Sequence, residues 1–420
     1  MSLITNNIKT NKWIAGTLPA ILLHICIGSV YCWSLLKGPI ATEIGCPVAS
    51  IEFAFSLAIF FLGMSAAFGG SIVEKNVKYS SLSSALYFVG GLTGTMLAMY
   101  LHSVVLLFVF YGCIMGIGLG LGYLSPIKTL MLWFYDHKGL ATGIAISGFG
   151  LSKVIMSPFI VWCNTNYNIF TTITIIGLFS LICMLSASFL IHKPSDWIEH
   201  TDKKSLNDFL KIIFNPLYIL IWIMFYLNIT AGLAIISFES NIASYYNISA
   251  VGLLAAGTAL FNTLGRFGYA SVSDKIQNKA WIYVIIFSSS LIAAILGLIN
   301  IPTLVFTVII AMFIINAGYG GGFSALPVLL ESKFGMKNIS TIHGLCLSAW
   351  AFAGLSGNNI TNYIINELNG TYNDVFITVG CMYFIALGIS IYLTSTNIKA
   401  SKNSMFKNIR WDMFRFNYLT

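Results

Sequence analysis

Apolar residues fill this chain in blocks of about twenty, and polar residues gather in the short gaps between them. A helix needs about 20 apolar residues to cross a ~30 Å hydrocarbon layer, so each block is long enough to span a bilayer. Twelve such blocks can be drawn, at roughly 14–36, 50–72, 80–101, 104–131, 140–163, 168–192, 213–238, 250–270, 281–300, 303–330, 342–366 and 373–395. They predict an all-α polytopic membrane protein with twelve transmembrane helices. Composition agrees: 57% of the 420 residues are hydrophobic and 9% are charged, where a soluble domain carries about 25% charged residues. The first block is too long for a signal-peptide core and lacks a small-residue cleavage site, so it reads as the first span.

Charge fixes the expected orientation, because Lys and Arg in short loops stay on the cytoplasmic side. With the N-terminus inside, eighteen of the 22 basic residues fall in cytoplasmic segments and Lys37 lies outside. Both termini are then cytoplasmic; whether the membrane is a plasma, bacterial inner or organelle membrane stays open. The net charge of +8 is a topology signal and implies no nucleic acid. Eight scattered cysteines, mostly within spans, form neither a disulfide framework nor a metal-ligand spacing, so no metal or cofactor is expected.

Three cations remain inside the spans, Lys128, Lys153 and Arg266, while all fourteen Asp and Glu fall in loops or at span ends. An unpaired buried charge destabilises a fold. The expected partner is a ligand anion. Arg266 lies eight residues before the boundary at Asp274-Lys275, about 12 Å along a helix, where a cation costs roughly 2.5–3.5 kcal/mol and usually marks a substrate path. The alternative is a packing arginine held by backbone carbonyls. Lys128, five residues before Trp133, is expected to snorkel to the cytoplasmic interface. Lys153, fourteen residues after Gly139, is too deep for that, and either lines the cavity or snorkels outward. His24 is the one mid-span group able to titrate near neutrality, hence a candidate for proton coupling, with hydrogen-bonded packing as the alternative.

The chain also repeats itself. Glu74-Lys75 and Asp274-Lys275 close glycine-containing span ends 200 residues apart, and Pro126 and Pro327, Trp133 and Phe334, Gly143 and Gly344, and Ser147 and Ser348 are each 201 apart. Duplication is the simplest account: an N-terminal six-helix bundle (1–192), a cytoplasmic linker (193–211), a C-terminal six-helix bundle (212–396) and a cytoplasmic tail (397–420). Glu74, Lys75, Asp274 and Lys275 then read as paired gating motifs. Glycine clusters at 116–122 and 318–322 let helices approach closely, with Tyr123, Tyr319 and Phe323 beside them as cavity walls. A phosphate loop is excluded, since no strand precedes either cluster.

Gly28-x-x-Tyr31-x-Trp33-Ser34, Trp133-Phe134 with Gly139-x-x-Thr-Gly143, Gly148-Phe-Gly150, and Phe334-Gly335 with Gly344 and Ala349-Trp350 together resemble the oxalate/formate antiporter branch of the major facilitator superfamily, close to the monocarboxylate transporters. The resemblance implies two pseudo-symmetric six-helix bundles, alternating access and small carboxylate substrates. It implies that Arg266 holds the anion inside an aromatic cage of Tyr31, Tyr123, Phe149, Tyr319, Phe323 and Trp350. A second cation of that family, three residues after Trp350, is here Ala353, which favours a monoanion such as pyruvate, lactate or formate over oxalate. The repeat sets Lys153 against Gly354, beside the vacant position, as a candidate replacement.

The expected function is therefore secondary active transport of small carboxylates, as exchanger or proton symporter, by a monomer whose partners are substrate, protons and lipid. A solute sensor on the same fold and a carrier of an unrelated solute are the competing readings. Enzymatic activity is not expected, because no span carries a catalytic set with usable spacing.

Overall fold

A computed structural model describes residues 11–195, 206–248, 251–299 and 305–415. The linker stretch 196–205, residues 1–10 and the last five residues of the tail lie outside the described residues. Among the described residues eleven helices are long and apolar enough to cross a membrane: α1 Trp13–Ile44, α2 Val48–Lys75, α3 Val77–Tyr100, α4 Val104–Trp133, α5 Tyr135–Asn166, α6 Ile169–Leu190, α7 Pro216–Ile236, α9 Ala280–Gly297, α10 Val305–Phe334, α11 Ile339–Glu367 and α12 Tyr372–Thr396. The twelfth, α8 Val251–Asp274, is as long as α3 but carries Asn262 and Arg266 among its apolar residues. Its polarity is the reason it falls short on hydropathy and the reason it matters. Helices are the expected solution, since each satisfies its own backbone hydrogen bonds where lipid offers none.

Two seams join the halves, α2 against α11 and α5 against α8. Both are built on glycines. Gly63 of α2 lies against the backbone of Ala351, and Gly70 against Ser340 and Thr341. In the second seam Gly139 lies against Ala270 and Ser273, Gly143 against Phe267 and Ala270, and Gly150 against Thr263. The two seams repeat each other with the offset seen in the sequence, and they bring the helix backbones to small-residue contact distance, where dispersion replaces the hydrophobic drive that lipid cannot supply.

At the end of the bundle rich in basic residues, each seam is latched by an acid at a helix start. Glu74 accepts from the Ser340 amide at 2.6 Å, and Asp274 accepts from the Gly139 and Leu140 amides at 2.6 and 2.8 Å. Each carboxylate meets unpaired N–H groups and the positive end of a helix dipole. Lys138 adds an ion pair to Glu331 across the halves at 2.8 Å. In both gating motifs the acid makes the contact while Lys75 and Lys275 are exposed.

One expectation is overturned here. Lys128 does not snorkel: its side chain is 3% exposed and its ammonium pairs with Glu74 of α2. The packing of α4 against α2 puts Lys128 on an inward face, and a carboxylate within reach is a better partner than a distant interface.

Candidate functional site

Arg266 is fully buried at the centre of α8. Glycine makes room for it on both sides. A side chain at Gly150 of α5 would meet the Arg266 Cδ at 3.2 Å, and one at Gly320 of α10 would meet its Cγ at 3.0 Å. Because those positions carry no Cβ, the guanidinium lies between two rings, 5.6 Å from the Phe149 centroid and 5.3 Å from that of Phe323. Phe149 comes from one half and Phe323 from the other. Cation–π contact holds the group without neutralising it.

Hydrogen bonding is equally incomplete. Arg266 Nε donates to Asn262 Oδ1 at 2.8 Å, one turn earlier on the same helix, while Nη1 and Nη2 are buried without any hydrogen-bond partner among the described residues. The packing alternative, in which carbonyls hold the arginine, is therefore not what the structure contains. Two parallel N–H donors are left free, and that fork matches a carboxylate.

The aromatic residues assemble around this centre. Trp350 of α11 packs on Phe323, Tyr123 and Phe149 with centroids 4.5, 5.6 and 5.8 Å away. Tyr123 of α4 and Tyr31 of α1 stand 5.8 and 5.3 Å from Phe149, and Tyr319 of α10 stands 5.2 Å from Phe323. The Tyr31 and Tyr319 hydroxyls meet at 3.3 Å across the halves. Tyr31 reaches this point because α1 tightens to a 3₁₀ turn over Ser29–Cys32. Both hydroxyls and that of Tyr123 lie within electrostatic reach of Arg266. Further donors are buried without partners in the same layer, the Tyr123 hydroxyl and the Trp350 indole N–H. Among the described residues the cage holds one fixed cation, several spare donors and no carboxylate, a chemistry that suits an anion.

His24 sits beneath the cage, its ring 5.3 Å from Tyr123 and 6.2 Å from Phe149. Nδ1 contacts the Ala145 carbonyl, and Nε2 stands 3.2 Å from the Tyr123 carbonyl. Two carbonyl acceptors suit a ring bearing a proton on each nitrogen, which a neutral imidazole cannot offer.

Sequence reasoning missed three residues. His343 is buried in the first turns of α11, with Nε2 unpartnered and its ring 6.2 Å from Tyr123, so His24 is not the only buried histidine near the site. Its position near a span end disguised it. Asn262 orients Arg266, and its place one turn away on the same helix was the available signal. Asn228 of α7, buried with its amide unpartnered beside Gly322, gave no signal at all, since a lone mid-span Asn usually packs.

Lys153 is half-buried in α5, within electrostatic reach of Cys32 of α1 and of Glu239. Ala353, by contrast, is fully buried, and no cation stands at that position of α11.

Comparison with known proteins agrees with this architecture. The model of the Major Facilitator Superfamily matches residues 19–358. The oxalate:formate antiporter of Oxalobacter formigenes is 24% identical over 392 residues, covering 91% of each chain. The apicoplast pyruvate carrier 1 of Toxoplasma gondii is 26% identical over 193 residues, covering 36% of this chain and 35% of that one. The crystal structure of the transporter FucP in the outward conformation superposes with a TM-score of 0.69 at 13% identity, over 90% of this chain and 97% of that one. With twelve helices in two pseudo-symmetric six-helix bundles, this multi-pass integral membrane protein belongs to the Major Facilitator Superfamily and is a transporter.

Proposed function

We propose that the chain carries small carboxylates, with monoanions such as pyruvate, lactate or formate as preferred cargo, by rocking residues 1–192 against residues 212–396 around Arg266. The observation that carries this reading is the pair of unpartnered, buried guanidinium nitrogens inside an aromatic cage without a carboxylate. A bound carboxylate supplies the two acceptors and the charge that the site lacks, and the rings keep water from competing for them. The names of two relatives, an oxalate:formate antiporter and a pyruvate carrier, support the same substrate class. The basic end, latched through Glu74 and Asp274, is the cytoplasmic one on the charge rule, so both termini face the cytoplasm.

His24 is the candidate proton carrier. Two carbonyls stand at its ring nitrogens, ready to accept from both, and the ring packs on Tyr123 and Phe149 of the cage.

The test is uptake of labelled pyruvate, lactate, formate and oxalate into proteoliposomes, each with and without a pH gradient or internal substrate. A sugar and an amine serve as controls. The reading predicts saturable uptake of at least one monocarboxylate that Arg266→Lys loses at equal membrane abundance. Uptake of the controls alone, or of a carboxylate by both proteins equally, would sink it.

A further inference from the structure

Lys153 stands half-buried in α5, one turn further from the basic end than Gly150, which packs on Thr263 and the Arg266 stem. The mirrored seam gives its height. There Gly63 lies against Ala351 and Gly354 against Ile59; the offset of 201 relates Ala351 to Gly150 and Gly354 to Lys153, and that of 200 relates Gly63 to Thr263 and Ile59 to Ala259. Lys153 is thereby level with Ala259 and Thr258 of α8. The Thr258 hydroxyl donates to Glu239 Oε1, and Glu239, which opens the short helix Glu239–Tyr245 beyond α7, is 8% exposed. A carboxylate of one half and an ammonium of the other thus share the outer layer of the seam above Arg266.

We propose that Glu239 sets the charge selectivity of the transport site by neutralising Lys153, so that Arg266 alone provides the net charge that a substrate meets. The proposal rests on the carboxylate reading above and sharpens it: Lys153 is a second cation held in check, and the chain selects monoanions because of a residue outside the cage. Burial pushes the Glu239 carboxyl above the usual carboxylate range, while the Thr258 hydroxyl and the Lys153 charge hold it down. Lys153 of α5 lies within electrostatic reach of it, and Thr258 is the polar group that donates to it from α8. The physics is charge counting. At an effective dielectric constant of about 20, an uncompensated unit charge roughly 10 Å from a substrate charge changes binding by about tenfold, and a dianion feels it twice. Monoanions and dianions therefore separate by about tenfold for each unit of charge on the pair.

The test uses the full chain in proteoliposomes, with labelled pyruvate as the probe and inhibition by oxalate measured against inhibition by formate. Glu239→Gln raises the charge of the pair by one, Lys153→Gln lowers it by one, and the double substitution restores neutrality. The oxalate-to-formate potency ratio should rise about tenfold in the first variant, fall by a similar factor in the second and return close to wild type in the double. If Glu239→Gln does not reach the membrane folded, the fall in Lys153→Gln carries the test alone. A ratio unmoved by either single substitution, or a rise that survives in the double variant, overturns the proposal. Failure of the underlying reading looks different: wild type would then take up none of pyruvate, formate and oxalate.

Discussion

Lys128 and Arg266 are both cations buried in spanning helices, yet the chain treats them in opposite ways. Lys128 has a carboxylate from the neighbouring helix, and Glu74 spends its other oxygen on the Ser340 amide of α11. Arg266 has two phenyl rings, one asparagine and two nitrogens without a hydrogen-bond partner among the described residues. Lys128 is neutralised within the protein, whereas Arg266 is held in place by groups that do not neutralise it, which is what the proposed function asks of a cation that receives an anion. Position in the helix does not distinguish the two, and only the partner does.

The comparison can be broken most severely at Glu74. Removing one member of a buried pair leaves the other charge uncompensated, so Glu74→Gln should cost about 3 kcal/mol, at the low end for such pairs because Glu74 is partly exposed. Thermal unfolding in detergent would register it. Adding Lys128→Met should recover much of the loss, and a double variant no more stable than the single would mean that the latch to α11, not the ion pair, is what Glu74 supplies.

Arg266 should respond in the reverse sense. Arg266→Lys keeps the charge and loses the fork, and with two charge-assisted hydrogen bonds at stake uptake should fall about a hundredfold. Stability should change by less than about 1 kcal/mol, since no native hydrogen bond but that to Asn262 is lost. A large loss of stability with uptake per folded molecule intact would make Arg266 structural like Lys128.

A smaller effect is expected at His24. If its proton is coupled to transport, uptake falls as pH rises, and His24→Gln should flatten that profile while leaving uptake at high pH within a few-fold of wild type. An unchanged profile moves the coupling elsewhere or points to exchange. Smallest of all should be Tyr31→Phe, which removes a hydroxyl contact across the halves at 3.3 Å and is worth about 1 kcal/mol at most. Its signature is a change in affinity below tenfold. A total loss would give that hydroxyl a direct role on the substrate.

The sequence determined the number of spanning helices, because twenty apolar residues in a row have one stable arrangement in lipid, and it determined the internal duplication, because the offset of 200–201 residues survives in Glu74, Asp274, Pro126 and Pro327. It also singled out Arg266, since a mid-span arginine on a helix bounded by Asp274 is costly wherever it points. Pairing was beyond it. Whether Lys128 reaches Glu74 or the interface, and whether His343 joins His24 near Tyr123, depend on which faces of separate helices meet. That is decided by helix rotation and by glycine seams such as Gly139 against Ala270. A residue's depth in the membrane is a one-dimensional property that hydropathy records, whereas its partner is set by packing between separate helices far apart in sequence, and only the tertiary structure contains it.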